Sequence, residues 1–159
     1  MRWEDLDREA CSVARTLSVV GDRWTLLVLR ECFLGTRRFE EFETRLGIAR
    51  HVLADRLKKL TEADVLSKSV YQERPRREEY RLTERGRDLY PVMMTLAQWG
   101  DKYMAGDAGP PLLRIHKSCG HVTEGVLTCA HCGEPVSAHE VSVKAGPGAR
   151  AATLPARSS

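Results

Sequence analysis

The sequence lacks the features that mark membrane, secreted and disulfide-rich proteins. None of its apolar runs approaches the roughly 20 residues that a membrane-spanning helix requires. The opening residues, MRWED, also lack the apolar segment of a signal peptide. The five cysteines are an odd number, and a chain without export signals seldom builds a disulfide framework. We therefore expect a cytoplasmic protein with no membrane partner, whose cysteines bind metal or take part in redox chemistry.

The signatures of catalysis are missing as well. The sequence contains no glycine-rich phosphate loop, no Ser-His-Asp order and no pair of carboxylates predicted to face one interior. We therefore predict that the protein is not an enzyme.

The net charge is small, but the positive charge is concentrated. A formal net charge of +3 is by itself weak support for a nucleic-acid partner. Residues 50–87, however, contain eleven Lys or Arg against seven Asp or Glu. Any contact with nucleic acid is therefore expected in this stretch.

This basic stretch begins within a predicted helix, turn and helix. Apolar residues recur on one face of residues 39–46, and Gly47 follows where a left-handed residue closes a helix. The next helix, residues 49–62, places Leu53, Leu57 and Leu60 on one stripe. A helix with such an inner stripe and a polar outer face suits the major groove of DNA. The residues predicted to contact DNA from this helix are Arg50, His51, Ala54, Asp55, Lys58 and Lys59.

A β-hairpin is predicted after this helix, with strands at residues 66–71 and 79–82. Its tip, residues 73–77, surrounds Pro75, which cannot donate to a strand ladder. We predict that Arg74, Arg76 and Arg77 contact phosphates, which fix affinity and register but carry little sequence information. Taken singly, the helix pair with its leucine spacing could be ordinary core packing, and the arginine-rich tip could be a solvated turn. Their order within so few residues favours a winged helix.

Four blocks of sequence occur in the order of a known family. They are CSVARTL at residues 11–17, VGDRWTLLVLR at 20–30, RFEEF at 38–42 and EYRLTERG at 79–86. Together they resemble the HxlR-type winged helix-turn-helix transcriptional regulators, over roughly the first two-thirds of the chain. The resemblance implies a cytoplasmic, homodimeric regulator, often a repressor, that binds double-stranded DNA. One departure is Ala49, where the family usually has a serine that caps the recognition helix, and alanine there costs about 1 kcal/mol.

Three further helices are predicted around this segment. They cover residues 5–19, residues 23–34 after an Asp22 cap, and a long stretch after a Thr83 cap, with Pro91 as a potential kink. The long helix carries an apolar stripe formed by Leu89, Val92, Met93, Leu96, Trp99 and Tyr103. A single small domain has little spare core to cover this stripe. We expect it to form a dimer seam with the first helix, and packing within one chain is the alternative.

The C-terminal part contains two close pairs of potential metal ligands, each followed by glycine. Two such pairs, joined by a short hairpin, would supply the tetrahedral nitrogen and sulfur ligands that zinc prefers. We predict a structural Zn²⁺ site formed by His116, Cys119, Cys129 and Cys132, with His121 or His131 as alternatives to His116. The alternatives are a ribbon that keeps its shape without metal, or reduced surface cysteines that have no role.

Cys11 is a candidate redox sensor. Arg8 and Arg15 lie three residues before it and four after it, so on a continuous helix both guanidinium groups could favour its thiolate. The alternative is a small packing residue, because four nearby acidic residues oppose this effect. Cys32, near the end of an apolar helix, is assigned to the core.

The sequence as a whole predicts a mainly α fold with a small β-hairpin wing and a Cys/His zinc-ribbon-like appendage. The winged helix-turn-helix domain is assigned to residues 1–106, a linker to 107–115, the ribbon to 116–140 and a disordered tail to 141–159. A protein-interaction module that has a structural zinc ribbon and does not bind DNA is the alternative function.

Overall fold

The computed structural model describes residues 2–150, and the chain forms two compact units that divide after Tyr90. The elements of the first unit are a 3₁₀ helix at Trp3–Arg8, α1 (Ser12–Val20), α2 (Arg23–Phe33), α3 (Phe39–Leu46), α4 (Arg50–Glu62), β1 (Leu66–Glu73), β2 (Arg76–Leu82) and α5 (Glu84–Arg87). Helix α6 (Tyr90–Met104) follows, and a 3₁₀ turn at Gly106–Ala108 comes after it. No helix within residues 2–150 is long and apolar enough to cross a bilayer.

The predicted helix-turn-helix is confirmed at α3 and α4. Gly47 ends α3 with a φ of 59°, the left-handed conformation that glycine adopts without a Cβ penalty. The side chains of Leu53, Leu57 and Leu60 are 0% exposed. They pack into a core that also contains Val28, Leu29 and Phe42. The leucine stripe therefore faces inward and fixes which side of α4 faces solvent.

Two of the predicted helix caps are also confirmed. Asp22 Oδ1 accepts hydrogen bonds from the amides of Trp24 at 2.9 Å and Thr25 at 3.3 Å. Thr83 Oγ1 accepts from the Gly86 amide at 3.0 Å. Ala49 precedes α4 without any side-chain cap, as the sequence predicts.

The prediction of one helix over residues 5–19 is wrong. The chain is extended at Glu9 and at Cys11, between the 3₁₀ helix and α1. Cys11 is the N-cap of α1, and its Sγ accepts from the Ala14 amide at 3.5 Å. The Glu9 carbonyl accepts from Arg15 Nε at 2.7 Å. These local side-chain contacts stabilise the break that helical periodicity alone does not reveal.

The helix after the wing is broken as well. Thr83 caps only the short α5, and the chain restarts at Tyr90. Pro91 therefore lies in the first turn of α6, where its missing N–H removes no helical hydrogen bond. The expected kink is replaced by a break. The Tyr90 ring packs edge-on against the Phe33 ring, with centroids 5.2 Å apart.

The wing is longer than predicted. Strands β1 and β2 are antiparallel, with a register that runs from Leu66 opposite Leu82 to Glu73 opposite Arg76. Only Arg74 and Pro75 form the turn. Arg76 and Arg77 therefore lie in β2 and not in the tip, because their backbones pair with the end of β1.

Some C-terminal residues form neither helix nor strand. Residues 141–150 are exposed and irregular. The rest of the predicted disordered tail, residues 151–159, lies outside the described residues.

Candidate nucleic-acid interface

The outer face of α4 is open to solvent. Because the leucine stripe faces inward, every residue that the sequence assigns to DNA contact on this helix is exposed: Arg50, His51, Ala54, Asp55, Lys58 and Lys59. The structure thus places them together on one side of one helix. This face combines hydrogen-bonding and cationic side chains, which is the chemistry that reads base edges.

The cations of this face are paired with acids of the same chain. Arg50 Nη1 lies 2.9 Å from Glu43 Oε2, and Lys59 Nζ lies 3.0 Å from Asp55 Oδ2. Lys58 Nζ lies 3.7 Å from Glu62 Oε1. Such exposed pairs are each worth only about 0.2–1 kcal/mol, so a phosphate can displace the acid at small cost.

Arg50 is held at the junction of the two helices. Its guanidinium group lies 4.5 Å from the centre of the Phe39 ring, in a cation–π contact. It follows Ala49, at the end of α4 where no side chain caps the first amides. An anion at this end would therefore meet both a guanidinium group and uncapped backbone N–H groups.

The wing presents further cations. Arg76 Nη2 pairs with Glu78 Oε1 at 3.2 Å, and Glu78 also pairs with Lys68. The hydrogen bond from Lys68 lowers the pKa of Glu78, which stays ionised at neutral pH. Arg74 and Arg77, by contrast, form no ion pair with any residue of the described part of the chain. They are the two wing cations with the least internal neutralisation.

Arg37 and Arg38, just before α3, were missed as candidate contacts. The Arg37 carbonyl accepts from the Tyr80 amide at 2.8 Å, and Arg38 forms an isolated bridge with Glu79. The Arg38 guanidinium lies 4.8 Å from the centre of the Tyr71 ring. These contacts join the start of α3 to the wing. The paired arginines before α3 were the signal in the sequence that could have drawn attention to this region.

Arg56 fixes α4 against α2 and was also missed. Its side chain is 20% exposed, and Nε lies 3.0 Å from Asp22 Oδ1, the carboxylate that caps α2. Nε lacks the alignment of a hydrogen bond, so this contact is an ion pair only. Nη1 also donates to Asp55 Oδ2 at 3.0 Å. Arg56 thus ties the recognition helix to the N-terminus of α2.

A buried carboxylate joins α2 to α3. Glu31 is 2% exposed, pairs with Arg45, and accepts from Arg30 at 2.7 Å and from the Thr36 hydroxyl at 3.1 Å. Burial alone would raise the pKa of Glu31, but the hydrogen bonds from Arg45, Arg30 and Thr36 outweigh it and hold the pKa below its ordinary value. Glu31 therefore stays ionised and links α2 to α3 through Arg45.

The predicted zinc ligands are brought together as two separate pairs. His116 Nδ1 lies 3.3 Å from Cys119 Sγ. Backbone hydrogen bonds from Cys132 and His131, and the Cys132 side chain, lower the pKa of the Cys129 thiol. Across residues 2–150, no group of three or more potential metal-binding side chains is assembled.

The other two cysteines differ in setting. Cys11 is exposed at the start of α1. The Arg15 guanidinium is engaged by the Glu9 carbonyl, so the predicted pair of arginines beside Cys11 on a continuous helix is not formed. Burial, with the charge of Glu31, raises the pKa of Cys32 to about 12. Cys32, which is half-buried, therefore stays protonated at neutral pH.

Comparison with known proteins places this geometry in a family. The family model described as HxlR-like helix-turn-helix matches residues 19–108. The chain is 46% identical, over 143 residues, to the uncharacterized HTH-type transcriptional regulator Rv3095 of Mycobacterium tuberculosis (strain ATCC 25618 / H37Rv). The matched region covers 90% of each of the two chains. It is 37% identical, over 98 residues, to the uncharacterized HTH-type transcriptional regulator YdeP of Bacillus subtilis (strain 168). This matched region covers 61% of this chain and 77% of YdeP.

A solved structure shows the same fold. The crystal structure of PA1607, a candidate transcription factor, matches with a TM-score of 0.79 and 35% identity, over 87% of this chain and 96% of that one. Both curated relatives carry the name of a transcriptional regulator. Together with the exposed recognition helix and the basic wing, these matches show that the chain belongs to the HxlR-like helix-turn-helix family of transcriptional regulators.

Proposed function

We propose that the protein is a sequence-specific DNA-binding regulator that acts in the cytoplasm as a homodimer and represses transcription from a pseudo-palindromic operator. The observation that carries this proposal is the pairing of a solvent-exposed polar face on α4 with a fully buried leucine stripe behind it. A helix oriented in this way can enter the major groove without disturbing the core.

The helix and the wing have different tasks in this proposal. Base edges are read by the exposed side chains of α4, with His51 in its first turn and Lys58 two turns later. Arg74 and Arg77 of the wing contact the phosphate backbone. The cations of α4 exchange the acidic side chains with which they pair for phosphates of the DNA. Since these ion pairs are exposed, the exchange requires no change in the fold.

Exposed apolar side chains support the homodimer. Along α6, Val92 is 47%, Leu96 46%, Trp99 58% and Tyr103 63% exposed. Val13 and Leu17 of α1 are exposed as well. A second copy that covers the α6 stripe would remove this surface from water, at roughly 25 cal/mol per Å². Two recognition helices about 34–36 Å apart would then read two half-sites.

Repression is the simplest outcome of such binding. A small dimer that covers its operator excludes other proteins from the same DNA and needs no further contact to do so. The proposed repressor role is tested by measuring transcription from a template with the operator, with and without the protein. An increase on adding the protein would contradict repression.

DNA binding itself is tested by selection and by a mobility shift. Purified protein is incubated with random duplexes and with the DNA upstream of its own gene, and the bound fraction is sequenced. We expect one enriched motif with two inverted half-sites. Light scattering at micromolar concentration should give the mass of a dimer, and a monomeric mass would contradict the homodimer.

One observation favours a second candidate function. Every cation named on the outer face of α4 is paired with an acid, which weakens the positive potential there. The protein would then be an interaction module with a structural zinc ribbon and no affinity for DNA. Failure to enrich any duplex at low salt, where electrostatic binding is strongest, would favour this candidate.

A further inference from the structure

The segment after α6 contains two hairpins that repeat one backbone pattern. In the first hairpin, Ile115 bridges Val122, and the amides of His116, Gly120 and Thr123 donate to the carbonyls of His121 at 2.9 Å, His116 at 2.8 Å and Arg114 at 2.8 Å. In the second, Thr128 bridges Pro135, and the amides of Cys129, Gly133 and Val136 donate to the carbonyls of Glu134 at 2.8 Å, Cys129 at 2.8 Å and Leu127 at 2.9 Å. The two patterns match bond for bond.

The glycines of the two hairpins match as well. Gly120 has a φ of 72° and Gly133 a φ of 78°. A positive φ at this position closes a tight turn that a residue with a Cβ adopts only under strain. The two turns are therefore copies of one structure, and their positions can be equated residue by residue.

The equivalence identifies the ligand positions. His116 corresponds to Cys129, and Cys119 corresponds to Cys132. His121 corresponds to Glu134 and His131 to Ser118, positions at which the other hairpin has no nitrogen or sulfur ligand. The repeat therefore selects His116 as the partner of the three cysteines, a choice that the spacing of the sequence leaves open.

The ligand atoms of the first pair are already close to the separation that a bound metal requires. In a tetrahedral zinc site, bonds of about 2.0 Å to nitrogen and 2.3 Å to sulfur separate the two ligand atoms by roughly 3.5 Å. His116 Nδ1 and Cys119 Sγ are 3.3 Å apart. The first hairpin thus presents its two ligands at nearly the required separation.

The junction between the hairpins is anchored to α6. The Gly125 amide donates to Gln98 Oε1 at 3.0 Å, and Gln98 Nε2 donates to the Gly125 carbonyl at 3.2 Å. A Cβ at Gly125 would lie 3.0 Å from Gln98 Oε1, so a larger residue there would push the Gln98 side chain away. Arg114 at the start of the first hairpin pairs with Asp101 of α6 at 2.8 Å.

The hairpins have almost no apolar core of their own. Leu112, Leu113, Val126 and Leu127 are all more than half exposed, at 53%, 63%, 69% and 64%. A segment that buries so little apolar surface needs a covalent or metal cross-link to hold one structure.

We propose that His116, Cys119, Cys129 and Cys132 bind one Zn²⁺ ion, which joins the two hairpins. The two pairs are separate within residues 2–150, so they would have to come together around the ion. Four protein ligands leave no open position for water, so the role of the metal is structural. The proposal is independent of DNA binding.

The test uses the full chain, purified without chelator and without a histidine tag. We expect about one zinc per chain by elemental analysis. His116→Ala and Cys129→Ser should each reduce the zinc content at least tenfold. The matched controls His121→Ala and His131→Ala, which remove histidines from the same two hairpins, should leave the zinc content unchanged.

Two further measurements separate a lost ligand from a lost fold. His116→Cys should retain zinc, because the second hairpin has cysteine at the equivalent position. Co²⁺ added to the reduced, metal-free chain should give the intense visible absorption of a tetrahedral thiolate site. A chain that takes up neither Zn²⁺ nor Co²⁺ would overturn the site, and zinc loss in His121→Ala with retention in His116→Ala would overturn the assignment of His116.

Discussion

The salt dependence of DNA binding tests the role of the wing most directly. Arg74 and Arg77 lack an acidic partner in the described chain, so each is free to neutralise a phosphate. Each phosphate contact contributes about 0.9 to the slope of log K against log salt concentration. The proposed dimer would have two wings, so in it the double variant Arg74→Ala/Arg77→Ala removes four cations and should flatten the slope by about 3.6.

This change is large enough to measure with confidence. Between 50 and 200 mM salt, a slope difference of about 3.6 corresponds to roughly two orders of magnitude in relative affinity. Fluorescence anisotropy of a labelled operator at several salt concentrations gives both slopes. The matched control is Arg76→Ala, in the same wing, whose guanidinium already pairs with Glu78 at 3.2 Å. Per arginine removed, Arg76→Ala should flatten the slope by less than the double variant does.

The outcome that would refute this reasoning is specific. If the double variant still binds the operator with the slope of the unchanged protein, the wing does not contact phosphate. If Arg76→Ala flattens the slope as much per residue, internal ion pairing does not decide which cations meet the duplex.

Four further predictions follow from single residues. His51→Ala should weaken operator binding by about 1–3 kcal/mol while affinity for unrelated duplex stays the same, and equal loss on both DNAs would contradict base reading by His51. Ala49→Ser should supply the missing cap of α4 and stabilise the fold by about 1 kcal/mol in urea denaturation, and an unchanged free energy of unfolding would contradict this. Glu31→Gln should lower the free energy of unfolding at pH 7 by about 1–3 kcal/mol. The pKa of Glu31 is lower in the folded protein than in the unfolded chain, where it is about 4.3. The stability that ionised Glu31 contributes is therefore present above the unfolded pKa and is lost as pH falls through the folded pKa. The difference in unfolding free energy between the variant and the unchanged protein should shrink in acid. Cys11 stays a predicted redox sensor: peroxide should weaken DNA binding in the unchanged protein and not in Cys11→Ser, and equal sensitivity would contradict the prediction.

The helix-turn-helix could be predicted from the amino-acid sequence alone. The bounds of α3, its closure at Gly47 and the inward stripe of α4 depend on residues within a turn or two of one another, so periodicity and turn residues were sufficient. The caps at Asp22 and Thr83 are local for the same reason. The polar face of α4 followed from the stripe, because a helix that buries one side must expose the other.

Features that depend on residues far apart in the chain became visible only in the folded structure. Arg76 and Arg77 belong to β2 because their backbones pair with Glu73 and Gln72 at the end of β1. Glu31 is held by Arg45 and Arg56 is held by Asp22, contacts that no short-range pattern predicts. The proposal of His116 as the fourth zinc ligand, in place of His121 or His131, rests on the matching of two folded hairpins. Periodicity reports which side of an element is buried, whereas the partner that buries it is fixed only when the chain folds back on itself.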